Sequence, residues 1–285
     1  MNLNYRSQKL FAWSGVAFIV LFGIGFAVAG FIPPAPSPGD SAHDAAQLFR
    51  DRAVPIRVGL IIMMYASALL TTWGIPITIQ MRRIEGRDGP LSWAQVLFSA
   101  LFTLEFIIPI MVLQAATFRP ERSDESIQLM SDIAWLAFMG VDSTILLQGV
   151  VLGVVILRDK RAQPIFPRWS GYFSIWAMLV LQPGATISFF KHGPLTWNGL
   201  LVWWIPIFSY APWMLIFSYL TMRAIKRQEQ DPSPSDPVDG PDDAISTATL
   251  TAEVADLRAE LDRLSGTAPH PVGADGSAPR APAES

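Results

Sequence analysis

The sequence predicts an all-α membrane protein: a polytopic bundle of six transmembrane helices, then a disordered C-terminal tail holding a short amphipathic helix. Three observations predict it. Six apolar runs, at about 11–32, 55–80, 92–117, 133–157, 170–190 and 198–222, are long enough for a helix to cross the hydrocarbon core, which takes roughly 20 residues. The chain of 285 residues is 51% hydrophobic and only 16% charged, too poor in charge for a soluble domain of this length. The apolar residues do not alternate with period two, which argues against β-barrel strands.

The elements follow in order. Arg6 and Lys9 precede the first run, 11–32. That run is longer than the roughly 7–15 residues of a signal-peptide core, so an uncleaved span is expected despite the cleavage-like Ala27-Val28-Ala29. PPAPSPGD then gives an irregular segment, and Asp40 is expected to cap a short interfacial helix with Ala45, Leu48 and Phe49 on one face. The second run ends at Arg82-Arg83, the third at Phe118, and the fourth at Arg158. The fifth lies between Arg168-Trp169 and Lys191-His192, and the sixth between Asn198 and Arg223. With the N-terminus inside, inner segments hold 12 Lys/Arg and outer segments 6. That bias predicts a cytoplasmic-membrane protein with both termini in the cytoplasm. Trp169, Trp197, Trp203 and Trp204 sit near run ends and read as interface anchors.

From 228 the chain turns acidic and Pro-rich, which predicts disorder. Net charge is −3 overall; residues 228–285 hold 12 Asp/Glu and 3 Arg, a balance of −9, which leaves +6 for 1–227. A basic membrane body with an acidic tail gives no footing for nucleic-acid binding. Within the tail, Leu250, Val254, Leu257, Leu261 and Leu264 form a heptad-like stripe over 250–264. It is short enough to be marginal alone, and could pair with a partner helix or a second copy as a coiled coil.

The chemistry-bearing residues are few. The chain has no cysteine, which removes disulfides, thiolate metal sites, thiol nucleophiles and iron–sulfur ligation. His43, His192 and His270 all lie outside the runs, so a di-haem cytochrome would lack axial ligands. No phosphate-binding loop, nucleophile elbow or metalloprotease motif occurs, and no cofactor or metal is expected.

Two acids do lie inside runs, Glu105 and Asp142, and at 1.5 Å rise per residue both fall near the midplane. Read as one continuous fourth helix, Asp142, Gly149 and Gly153 share one line, so Asp142 should face protein, and the glycines should mark a packing face. Pro109 leaves the carbonyl of Glu105 without its helical partner. Tyr65, Gln182 and Tyr210 reach similar depth, and no Lys or Arg does. Without a cation, two acids at this depth cannot both stay charged cheaply. Glu105, Asp142, Tyr65, Gln182 and Tyr210 are therefore the candidates for ligand or proton binding. The alternative is that neutral acids simply tie the bundle together. Beyond the midplane, Arg119 opens a charged outer cluster with Glu121, Arg122, Asp124, Glu125 and Asp132. It reads as a solvated loop or a headgroup contact, and Lys191-His192 reads as an anchor near phosphate.

AWSGVAFIVLFGIGFAVAGFIPP, ATFRPERSDESIQLMSDIAWL, PIFPRWSGYFSIW and FFKHGPLTWNGLLVWWIP resemble a group of uncharacterised bacterial, actinobacterial-type integral membrane proteins. The resemblance covers about 11–225 and implies six spans, with no activity or catalytic residue. Within it, Glu105 and the outer positions Asp132, Lys191 and Asn198 are the first to test. Three function classes stay open. One is binding or transport of a small apolar or amphiphilic molecule, with proton linkage through Glu105 and Asp142. The second is an accessory or scaffold subunit. The third, a membrane enzyme, has no nucleophile–base or metal constellation behind it.

Overall fold

The computed structural model of the chain describes residues 3–86, 88–230, 254–258 and 260. It divides into two units, Met1–Pro237 and Val238–Ser285. In the second, 254–258 and 260 are helical, with Val254 and Leu257 exposed. The rest of the expected tail, including most of the 250–264 stripe, lies outside the described residues.

The first unit is built from helices: α1 (Leu3–Ala29), α2 (Ala42–Asp51), α3 (Ala53–Glu85), α4 (Pro90–Phe118), α5 (Asp124–Gly140), α6 (Ser143–Arg158), α7 (Arg168–Leu181) and α8 (Ile205–Gln230). A 3-10 segment, Gln182–Phe189, continues α7, and a π-helical turn, Leu200–Trp204, leads into α8. Among the described residues six stretches are long and apolar enough to cross a membrane: Asn4–Ala29, Ala53–Glu85, Pro90–Phe118, Asp124–Arg158, Arg168–Phe189 and Leu200–Gln230. The chain is an all-α integral membrane protein of six spans.

α1 starts well before the apolar run because its polar first turns find partners. Lys9 Nζ donates to Glu229 at 2.5 Å, and Gln80 Nε2 donates to Gln8 Oε1 at 3.3 Å and to Gln228 Oε1 at 3.0 Å. These bonds tie α1, α3 and α8 together at the end that carries both ends of the bundle. α1 stops at Gly30, whose φ of +77° suits glycine. Its N–H and that of Phe31 both reach the Phe26 carbonyl at 3.0 Å.

The helix between the first two spans is capped by Ser41, not Asp40. Ser41 Oγ accepts from the Asp44 N–H at 3.2 Å, while the Asp40 carboxylate accepts from the Ser37 N–H at 2.8 Å. Buried Ala45, Ala46 and Phe49 hold α2 onto the bundle. Arg50 pairs with Asp124 at 2.7 Å and donates to the Pro120 and Arg122 carbonyls at 2.8 Å each.

Small residues set the close crossings, as expected where lipid competes with apolar side chains for contact. A Cβ on Gly25 would sit 2.8 Å from the Gly59 carbonyl oxygen, so α1 and α3 touch backbone to backbone. A Cβ on Gly153 would sit 2.7 Å from the Gly171 carbonyl oxygen, and Gly149 packs against Met178. The glycine pair of α6 is thus turned toward α7 of the same chain. Ser174 Oγ donates to the Gly149 carbonyl at 2.8 Å and accepts from Trp213 Nε1 at 3.0 Å. Trp73 Nε1 donates to Ser218 Oγ at 2.8 Å, and its ring meets Trp213 at 5.2 Å.

The main departure from expectation is that the fourth span is two helices. α5 ends at Gly140, Val141 leaves the helical region (φ −98°, ψ 85°), and α6 begins at Ser143. Gly140 and β-branched Val141 are poor helix formers. Asp142 takes the N-cap position and its carbonyl accepts the Leu146 N–H at 3.0 Å. The fifth span also changes at mid-course, tightening to 3-10 at Gln182-Pro183, and the sixth opens with a π turn. Irregular backbone at membrane depth is tolerated only where protein or a cavity receives it.

Candidate functional site

The three irregular segments border one cavity of about 410 Å³. α1 contributes Phe18, Phe22 and Phe26, a stripe of rings four residues apart; α4 contributes Phe102, Glu105 and Phe106. Phe138 comes from α5, Val141 and Asp142 from the break, and Gly184 from the 3-10 segment. Trp203 and Trp204 come from the π turn and Tyr210 from α8. The cavity runs from the depth of Glu105 to Ile32, which lies past the end of α1 and is 50% exposed.

The rings lock one another in place. Phe106 meets Phe22 edge-on at 5.2 Å and Phe138 edge-on at 5.1 Å, and Phe26 meets Trp203 at 5.1 Å. Such pairs hold well beyond their area burial, so the wall is preformed. A smaller hollow of about 220 Å³, bounded by Trp176, Leu200 and Phe208, shares Trp204 with the cavity.

The polar groups of this wall are incompletely bonded. Thr144 Oγ1 donates to Glu105 Oε1 at 2.5 Å, while Glu105 Oε2 is buried with no hydrogen-bond partner among the described residues. Asp142 meets the backbone N–H of Ala185 and keeps its Oδ2 unpartnered. Trp203 Nε1 and the Tyr210 hydroxyl are likewise buried and unpartnered. Each such atom costs about 1–3 kcal/mol if nothing satisfies it. All four belong to residues that line one cavity, the pattern of a site for an occupant with polar groups of its own.

Asp142 is held against Gly184. A Cβ there would overlap both the Asp142 carboxylate and the Met139 carbonyl, so the 3-10 segment approaches the break more closely than any other residue would allow.

Of the midplane candidates, Glu105, Asp142 and Tyr210 come together here. Tyr65 does not: it is 79% exposed on the outer surface of α3, because depth alone does not fix which way a helix turns. Gln182 is not in the wall either; its amide donates to the Met178 carbonyl one turn back, at 3.1 Å. Arg119 is exposed and sits over the Phe118 ring at 5.9 Å. Asp132 is half-buried on α5, within the electrostatic reach of exposed Lys191, and Asn198 Oδ1 accepts from Thr196 Oγ1 at 2.9 Å. None of these four lines the cavity.

Trp203 and Trp204 were expected as interface anchors and instead form cavity wall. Trp197 is buried, its Nε1 donating to the Pro36 carbonyl at 2.9 Å. Only Trp169 keeps an anchor's exposure, at 51%. The sequence signal for the wall was the Phe18, Phe22, Phe26 spacing, which puts three rings on one helical face.

No known protein family, curated protein or solved structure matches the chain.

Proposed function

We propose that the protein binds a small apolar or amphiphilic molecule in this cavity and moves it through the bilayer. The observation that carries the reading is that four residues with an unpartnered buried polar atom line one ring-walled space. Interrupted helices at the same place favour it further, because backbone unwound at mid-depth is a recurring way of building transport sites. Glu105 and Asp142 are the acids of the site, and among the described residues no Lys, Arg or His lines it. Acids at that depth without a cation are cheaper neutral than charged, so they are the groups through which protons would be linked to binding. The excess of Lys/Arg in alternate links supports a cytoplasmic membrane with both termini inside. The cavity then reaches toward the outer surface.

A second reading, an accessory subunit that assembles through its tail, draws on one observation. Val254 and Leu257 are helical, three residues apart, and 45% and 57% exposed.

Native mass spectrometry of the protein extracted gently from its own membrane tests the first reading. A retained small molecule or lipid that is lost in Glu105→Gln or Asp142→Asn supports it. A retained partner protein or defined oligomer, with no small molecule and no effect of those substitutions, returns the acids to a structural role.

A further inference from the structure

We infer that the occupant is an amphiphilic organic cation, with an ammonium-type head at Glu105 and Asp142 and an apolar body against the phenylalanine wall. This rests on the cavity being a binding site, and adds the sign of the charge. The titratable groups facing the space are Glu105 from α4, Asp142 from the α5–α6 break and Tyr210 from α8. α1, the 3-10 segment and the π turn bring none, and among the described residues nothing cationic lines it.

The bonding already in place leaves one buried oxygen of each acid unpartnered at the edge of the space. Thr144 engages Glu105 Oε1, which leaves Oε2, and Asp142 keeps Oδ2. Both atoms call for a donor, and a protonated amine carries up to three. Hydrogen bonds to an ionised carboxylate are about twice as strong as neutral ones. Phe22, Phe106 and Phe138 line the same space, and a cation within about 6 Å of an aromatic ring face is attracted further. Trp203, only 6% exposed, offers its unpartnered Nε1–H, a donor for a hydroxyl or carbonyl elsewhere on the same ligand. An anion would meet two acids and no cation. A pure hydrocarbon would leave all four polar atoms unpaired.

Three probes of one shape separate the cases: naphthylmethylammonium, its uncharged isostere ethylnaphthalene, and the anion naphthylacetate. Each is titrated calorimetrically into the full chain in lipid nanodiscs, with empty nanodiscs subtracted. The ammonium should bind tighter than the hydrocarbon by about tenfold or more, with naphthylacetate weakest. Glu105→Gln and Asp142→Asn should each remove that preference while leaving ethylnaphthalene unchanged. Ethylnaphthalene or naphthylacetate binding as tightly as the ammonium overturns the charge assignment and leaves the cavity a binding site. No binding of any probe above empty nanodiscs overturns both. The comparison among probes is made on the unaltered protein, so it stands even if a substituted chain fails to fold.

Discussion

Replacing Gly184 by alanine probes the junction that holds Asp142. On the present backbone the new methyl would overlap two oxygens, Asp142 Oδ2 and the Met139 carbonyl. The carboxylate can swing aside, but the carbonyl is fixed in α5. The segment Gln182–Phe189 must then move off the α5–α6 break. Overpacking of this kind costs about 1–3 kcal/mol. At about 2–4 °C per kcal/mol for a chain of this size, the midpoint of thermal unfolding should fall by about 2–12 °C. Gly140→Ala is the control: its Cβ would have Ile187 Cδ1 as nearest neighbour, at 3.4 Å, an ordinary contact. Tryptophan fluorescence of the purified protein in nanodiscs reads both midpoints. Gly184→Ala as stable as wild type, or Gly140→Ala falling as far, would refute the close contact at the break.

Other substitutions test the frame around the site. Trp213→Phe removes the 3.0 Å hydrogen bond to Ser174 in a fully buried place and should cost about 1–3 kcal/mol, read as a lower midpoint; an unchanged midpoint denies that bond a structural role. Gln80→Ala strands the side-chain amide oxygens of Gln8 and Gln228, both buried residues, and should cost about 1–3 kcal/mol for each oxygen left unpaired. A replacement that stays neutral would mean that water serves those groups equally well. Protons and an organic cation compete for the same carboxyls. Affinity for naphthylmethylammonium should therefore fall as pH falls, by up to about tenfold per unit for each proton displaced. Calorimetry across about pH 5 to 8 checks this, and a flat affinity would dissociate the cation from the acids.

The six spans were legible because a bilayer imposes length and apolarity on every crossing, and the chain meets both demands six times. Glu105 and Asp142 were legible because an acid inside such a run has no ordinary reason to be there. The break beside Asp142 was not, since a continuous helical period runs through it. The Gly140, Asp142 and Ser143 cluster, a weak helix former followed by two capping types, was the only hint. Rotation was illegible for Tyr65, whose depth matches the site while its side chain faces outward. Trp203 and Trp204 looked like anchors because run ends usually lie at the interface. The π turn carries them to the cavity, and nothing in LLVWW announces a wider helical turn.

Cysteine accessibility tests the central claim most directly, that the space beside Glu105 and Asp142 takes up a ligand. The chain has no cysteine, so one introduced thiol reports only its own position. Gly23 lines the cavity, and a side chain placed there meets nothing within 4 Å. Tyr65, 79% exposed outside the cavity, supplies the control. Naphthylmethylammonium should slow N-ethylmaleimide labelling of Gly23→Cys several-fold and leave Tyr65→Cys unaffected. Equal labelling of both thiols, with and without the ammonium and with ethylnaphthalene in its place, would contradict it.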